Sequence, residues 1–285
     1  MRKIQILSLF ILLFSSCSPG KQEKATLRIK GSESMHETFI ALKKDFEKLQ
    51  DTLAIEIEGG GSKTGLMAIH DQSVDIGLSS YAFDLDSVLG SSHGVAEKVV
   101  AHDGIVIINN DNNPIGQLTK EQIGKIYRGE IKDWSELGGK PGEILPLVRD
   151  GNSGTQKYFS EYFGLDKTSE RVEVAEDNKE IVQKVYQDDR RIGFIGFAYV
   201  TLHVQDLQLP SNIEKDTFFI SPSFNSIRKG EYPLKRDLRI YYQKEGNSRV
   251  NSFMTYLASE RAQNIIERNG LVPSQSENYL SELTP

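Results

Sequence analysis

Twice between Thr26 and Asp71 the chain passes from a short apolar run, through glycine and serine, into an amphipathic helix: "TLRIK" into "GSESMHETFIALKKDFEKLQ", then "LAIEI" into "GGGSKTGLMAIHD". Strand, small-residue turn and helix in immediate succession predict a parallel sheet covered by helices. "VDIGLSS" adds a third strand ending in small polar residues. In such sheets the ligand-binding loops collect at one edge, beyond the strand ends. Met35, Phe39, Leu42, Phe46 and Leu49 recur at helical spacing, which gives the first helix one apolar stripe.

At 285 residues the chain exceeds the usual size of one hydrophobic core, which leaves two lobes or one large α/β unit. "KVVAHDGIVIINN" is long and β-branched enough to leave one lobe and enter another, and "YPLKRDLRIYYQ" reads as the return strand. Between them, "NNPIG" signals a turn, "TKEQIGKIYRGE" a capped helix, "DWSELGG" a loop with Trp134 as a packing anchor, and "EILPLVR" a strand. "TQKYFSEYFG" and "NKEIVQKVYQDD" follow as helices, and "IGFIGFAYV" as a glycine-punctuated strand or turn. The closing stretch "SRVNSFMTYLASERAQNIIERNG" carries Val250, Phe253, Met254, Leu257, Ile265 and Ile266 and stops at Gly270, a C-cap residue.

The amino terminus differs in kind. Arg2 and Lys3 precede "IQILSLFILLF", an apolar run of signal-peptide length that is short for a membrane span. Residues 1–16 are expected to be a signal peptide and 17–25 a tether. Cys17 is the only cysteine, which excludes an intramolecular disulfide. It stands where a bacterial lipoprotein is cleaved and acylated; the surroundings resemble a lipobox, with Phe14 where leucine is more usual. The expectation is an exported chain, anchored through Cys17 and facing the periplasm or cell exterior. The net charge of −6 becomes more negative once Arg2 and Lys3 are removed. That argues against a nucleic-acid partner, and any anion site must work locally.

Three turns offer one. A helix leaves its first N–H groups unpaired and carries partial positive charge at that end, so a buried oxyanion satisfies both. "GSESM" brings Ser32 and Ser34, "GGGSKTG" brings Ser62 and Thr64, and "DGNSGT" brings Ser153, Gly154 and Thr155. Each alone is also what an ordinary N-cap or turn looks like, but three of them, each after a strand, favour a shared ligand. Arg149, four residues ahead of Ser153, adds a fork of donors and a permanent charge. Asp75, in "VDIGLSS", is the expected acceptor for a proton on the ligand. Phosphate carries such a proton near neutral pH and sulfate does not, so an acceptor facing sulfate would stay unpaired, at a cost of about 1–3 kcal/mol. The plainer alternatives are a surface salt bridge for Arg149 and, for Asp75, pairing with Lys or Arg near a strand end.

"GSESM", "GGGSKTG", "VDIGLSS", "DGIVIINNDNNP", "YRGEIKDWSELGG", "VRDGNSGTQKYF", "IGFIGFAYV" and "YPLKRDLRIYY", in this order, resemble the periplasmic phosphate-binding proteins of the PstS family, receptors of ABC phosphate importers. The resemblance spans nearly all of the chain beyond the leader, and the Arg-x-x-x-Ser-Gly-Thr spacing is its most specific part. It implies a two-lobed α/β type II periplasmic-binding-protein fold with a ligand cleft between lobes, residues 26–105 and 221–285 forming one lobe and 106–220 the other. It implies inorganic phosphate as ligand and ABC permease subunits as membrane partners. By motif, Ser34 supplies a hydroxyl, Met35 a backbone N–H, Ser62 a hydroxyl, Asp75 the acceptor, Arg149 the charge, and Ser153, Gly154 and Thr155 the last donors. Ser32, Lys63, Thr64 and Ser80 are secondary candidates. Tyr81 stands where many relatives carry arginine, and Lys63 is also uncommon.

Other chemistries fit less well. "GNSGT" with His102 and Asp103 superficially suggests a serine nucleophile, but spacing supplies no triad geometry. "GGGSKTG" lacks the first glycine of a Walker loop, since Ile57 holds that place. His36, His70, His93, His102 and His203 show no metal-ligand spacing. No enzyme activity, metal or cofactor is expected. The close alternatives are a phosphate-sensing receptor and a binding protein for another tetrahedral oxyanion.

Overall fold

The computed structural model describes residues 24–213 and 218–274. The expected signal peptide, Cys17 and nearly all of the tether lie outside the described residues. The repeated unit appears as β1 (Ala25–Gly31), α1 (Glu33–Leu49), β2 (Leu53–Glu58), α2 (Ser62–His70) and β3 (Ile76–Ser79). After α3 (Leu85–Leu89), β4 (Val95–Asn109) carries the chain onward. The middle of the chain builds α4 (Lys120–Arg128), β5 (Leu145–Arg149), α5 (Gly154–Phe163), β6 (Glu173–Ala175), α6 (Asn178–Gln187) and β7 (Arg191–Gly196). Short strands β8 (Gln205–Asp206), β9 (Leu209–Pro210) and β10 (Phe219–Ile220) and helix α7 (Phe224–Arg228) precede β11 (Lys235–Gln243). The chain closes with α8 (Ser248–Leu257), α9 (Glu260–Arg268) and β12 (Val272–Pro273).

The main sheet runs β2-β1-β3-β11-β4-β7-β5-β6. β1 is parallel to β2 and β3, and β5 is parallel to β6 and β7. Two parallel halves are thus joined by β4 and β11, which run antiparallel to their neighbours. β4 serves both: residues as far as Gly104 pair with β11, and Ile105–Asn109 pair with β7.

Each half has its own core. Leu27, Ile29, Met35, Phe39, Leu42 and Phe46 pack with Leu238, Ile240, Phe253 and Tyr256. Ile105, Ile107, Ile126, Tyr127, Phe159 and Phe194 pack with Ile227, Tyr232 and Leu234. Residues 227–234 were expected with the first lobe, yet they pack in the second core. The chain crosses back within β11, where Leu238 enters the first core, because Tyr232 Oη donates to the Ile105 carbonyl at 3.0 Å and holds that segment on the far half of β4.

Two local readings are refined. "DWSELGG" contains a 3-10 turn, Trp134–Leu137, capped by Asp133; Trp134 is buried and its Nε1 donates to the Arg190 carbonyl. The closing helical stretch divides at Ala258–Ser259, since Ser259 Oγ donates to the Tyr256 carbonyl and caps the next helix by accepting from the Ala262 N–H.

Candidate functional site

Three helices begin where the two halves face each other. α1 starts after Ser32, α2 after Gly61 and α5 after Ser153. Ser34 Oγ lies 3.1 Å from Thr155 Oγ1, so the first turns of α1 and α5 touch. The Lys63 N–H donates to the Asn152 carbonyl at 3.2 Å, which brings the turn before α5 against the first turn of α2. Gly61 has φ +90°, and a Cβ there would lie 2.6 Å from the Asn152 carbonyl oxygen. A Cβ on Gly154 would lie 2.3 Å from Ser62 Oγ and 2.9 Å from Ser80 Oγ. Small residues are required at both positions by close approach, and at Gly61 by turn geometry as well: Gly61 faces the Asn152 backbone and Gly154 the Ser62 and Ser80 side chains.

The hydroxyls gathered there are buried: Ser32, Ser34, Ser62, Ser80, Ser153 and Thr155 are all less than 5% exposed. Ser62 Oγ accepts from the Ser80 N–H at 3.0 Å and lies 3.3 Å from Ser80 Oγ. Ser153 Oγ accepts from the Gln156 N–H, which leaves its own hydrogen to donate. The remaining candidates stand apart. Lys63 is exposed, and Thr64 Oγ1 donates to the Gly61 carbonyl within its own turn. The Met35 N–H is committed to the Ser32 carbonyl at 3.1 Å, and its side chain fills the first core.

Arg149 ends β5 with its side chain 2% exposed. Nη2 donates to the Glu176 carbonyl at 2.7 Å, and Asp150 approaches only to 4.0 Å. Nε and Nη1 are buried with no hydrogen-bond partner. Burial pushes the guanidinium below its usual range, against the pull of Asp150, Glu33 and Asp177. Two unmatched donors on a buried cation can hold an anion: an oxyanion there would satisfy both hydrogen bonds and charge.

Asp75 is not part of this arrangement. It precedes the first residue of β3, so Ser80, at the other end of that strand, is about 16 Å away at the usual rise per residue. Its carboxylate accepts from the Arg28 N–H at 2.8 Å, Asn247 Nδ2 at 3.0 Å and Arg249 Nη2 at 2.8 Å. The expectation of a ligand acceptor at Asp75 is therefore corrected: parallel strands present their binding loops at their carboxyl ends, and Asp75 lies at the amino end, where it anchors α8 to the sheet.

Two charged residues not expected at the anion site lie there instead: Arg236, which the sequence did not single out, and Asp103, considered only as a partner for a serine nucleophile. Arg236, on β11, is 3% exposed, and Asp103, on β4, is 1% exposed. Arg236 Nε and Nη2 donate to Asp103 Oδ2 at 3.2 and 2.6 Å, while Nη1 reaches Thr155 Oγ1 at 2.8 Å and Nη2 reaches Ser34 Oγ at 3.0 Å. Asp103 Oδ1 is taken by the N–H groups of Gly104 and Phe197. His102 faces Asp237, its Nδ1 lying 2.8 Å from Oδ1. Among the described residues no cluster of acidic, histidine or cysteine side chains is suited to a metal.

A cradle of donors at the meeting of two α/β halves, spanned by two crossing strands, defines a class. The chain belongs to the PBP superfamily, whose domain matches residues 18–261, and its fold is the type II periplasmic-binding-protein fold. Within that class it is homologous to PstS phosphate-binding proteins. The phosphate-binding protein PstS of Bacillus subtilis (strain 168) is 29% identical over 264 residues, 91% of this chain and 85% of the relative. A Clostridium perfringens chain described as a phosphate ABC transporter substrate-binding protein, solved with bound phosphate, is 26% identical with a TM-score of 0.79, over 88% of this chain and 100% of its own. An ABC-type phosphate transport receptor from Vibrio cholerae is 25% identical with a TM-score of 0.72, at the same coverage.

Proposed function

We propose that the chain binds inorganic phosphate between its halves and delivers it to an ABC permease for import. The observation that carries this reading is the Arg149 fork: Nε and Nη1 are buried without partners, at the end of the strand that leads into α5. The names of the relatives supply the ion, and the donor set suits it. Ser34, Ser62, Ser80, Ser153 and Thr155 hydroxyls, the Gly154 N–H and Arg149 would surround a dehydrated tetrahedral oxyanion. Charge-assisted hydrogen bonds contribute about 1.5–3 kcal/mol each, enough, after dehydration and closure, for affinity of about −8 kcal/mol, that is micromolar or tighter.

Another tetrahedral oxyanion is the second reading, and a specific observation favours weighing it. Asp75 and Asp103 are both committed to arginines, so neither is free to accept a ligand proton. Ser62 and Ser80 hydroxyls accept as well as donate and are the groups left for that role. Titration calorimetry on protein stripped of bound ligand, with sulfate as competitor, is the test. Heat with phosphate that survives excess sulfate is expected; no heat with phosphate ends the proposal.

The same reading includes export and an acyl anchor on Cys17, with the cradle outside the cytoplasmic membrane. Mass spectrometry of the mature amino-terminal peptide is expected to show a diacylglyceryl cysteine. An unmodified Cys17 in a cell-associated protein would remove the anchor and leave the binding proposal intact.

A further inference from the structure

We infer that Arg236 is a positioning residue for the anion: it turns the hydroxyl hydrogens of Ser34 and Thr155 toward the ligand, and does so only when the halves meet. The inference rests on the phosphate-binding reading of the same site.

A guanidinium donates and never accepts, whereas a hydroxyl has one hydrogen and two acceptor lone pairs. Nη2 donates to Ser34 Oγ and Nη1 donates to Thr155 Oγ1. Neither hydroxyl can therefore point its hydrogen back at Arg236. The two oxygens are 3.1 Å apart, and that contact consumes one hydrogen at most. The other must be directed elsewhere, and an anion in the cradle is the acceptor that lets both turn outward. Without Arg236 the two hydroxyls would be free to rotate, and each could present a lone pair to the anion instead.

The placement of Arg236 gives this a conformational meaning. Ser34 is on α1, which packs in the first core, and Thr155 is on α5, which packs in the second. Arg236 lies between them on β11 and is fixed from behind by Asp103 on β4. Both strands cross between the halves. Asp103 neutralises Arg236, so Arg149 remains the net positive charge of the cradle, and the Asp103–Arg236 pair acts as a fixed dipole with its positive end toward the hydroxyls. When the halves separate, one guanidinium cannot hold both oxygens, so donor alignment and closure become one event.

The test is a double-mutant cycle read by phosphate calorimetry on the full exported chain. Arg236→Lys supplies a charge without the fork and is expected to raise Kd about tenfold or more, the loss of one charge-assisted hydrogen bond. In a Ser34→Ala/Thr155→Val background, where no hydroxyl remains to be turned, the same change is expected to alter Kd less than about threefold. Equal losses in both backgrounds would overturn the inference, because Arg236 would then act on the ligand directly or only on the fold. Should Arg236→Lys fail to fold by thermal melting, the pair deletion Arg236→Met/Asp103→Leu, which leaves no unpaired buried charge, is carried through the same cycle with the same two outcomes. A parent protein that gives no heat with phosphate refutes the reading of the site itself; a binding parent with an additive cycle refutes the role of Arg236 alone.

Discussion

A buried guanidinium with two idle donors is unfavourable for the protein that carries it. Arg149 is held by one carbonyl and no close carboxylate, and desolvation of an ion costs several kcal/mol. Function and stability therefore oppose each other at this residue. Arg149→Met, which keeps the volume of the side chain, is expected to weaken phosphate binding at least about tenfold and to raise the melting temperature of the ligand-free protein. A fall in both would mean that Arg149 is structural. Asp75→Asn is expected to do the opposite. It removes the charge that Arg249 and the Arg28 N–H depend on, so calorimetric unfolding should show a loss of about 1–3 kcal/mol, with the phosphate-to-sulfate preference unchanged. A narrowed preference would return Asp75 to the site. The sequence misled here because "VDIGLSS" names a strand without saying which end faces the cleft. Arg236 was legible in principle: along β11 it shares the buried parity of Leu238 and Ile240, and a cation on the apolar face of a strand demands a buried partner. That partner, Asp103, stands inside the β-branched run of β4 in the same way. Pairing them required knowing that β11 lies beside β4 with Arg236 opposite Asp103, a register no local pattern states.

Among the elements, the helix starts were the most readable part of the chain. Glycine and serine between an apolar run and an amphipathic one fix both a turn and a ligand-sized gap, and α1, α2 and α5 all begin where that chemistry predicts. The division between α8 and α9 was less readable, since Ser259 is a modest interruption in a continuous apolar stripe and acts only through its cap. The packing of residues 227–234 in the second core was hidden for a related reason: Ile227, Tyr232 and Leu234 are apolar in either lobe. What the small residues do is now specific. Gly154 opens α5, and a methyl group there would drive into the Ser62 and Ser80 hydroxyls. Gly154→Ala adds little in the way of backbone strain, since no left-handed φ is needed at that position. Its expected effect falls on the approach of α5 to α2: phosphate Kd rises about tenfold or more, while far-ultraviolet circular dichroism and the melting temperature without ligand stay near the parent values. Unchanged affinity would show that the halves need not come as close as the structure has them.

Across the whole molecule, the contacts that join the halves divide into a buried set and an exposed set. Lys179 Nζ lies 2.6 Å from Glu37 Oε1, with side chains 66% and 52% exposed; this pair holds the Glu37 carboxyl below its usual range. On the other flank Tyr81 Oη donates to Glu161 at 2.6 Å, and burial followed by that hydrogen bond raises the phenol above the tyrosine range. Exposed pairs of this kind contribute about 0–1 kcal/mol and cannot hold two lobes together alone. The buried set, in which Arg236 bridges Ser34 and Thr155 and the Lys63 N–H meets the Asn152 carbonyl, gains the two unmatched donors of Arg149 when an anion takes them up. A ligand shifts such an equilibrium by its difference in affinity for the two states, so phosphate should be the main closing force and the rim contacts a minor one. Small-angle scattering is expected to show a smaller radius of gyration with phosphate than without it. Tyr81→Phe should keep that compaction, and Arg149→Met should lose it at a phosphate concentration that saturates the parent. If Tyr81→Phe abolishes compaction while Arg149→Met retains it, closure is governed at the rim, and the cradle is a passenger of a motion that the surface contacts drive.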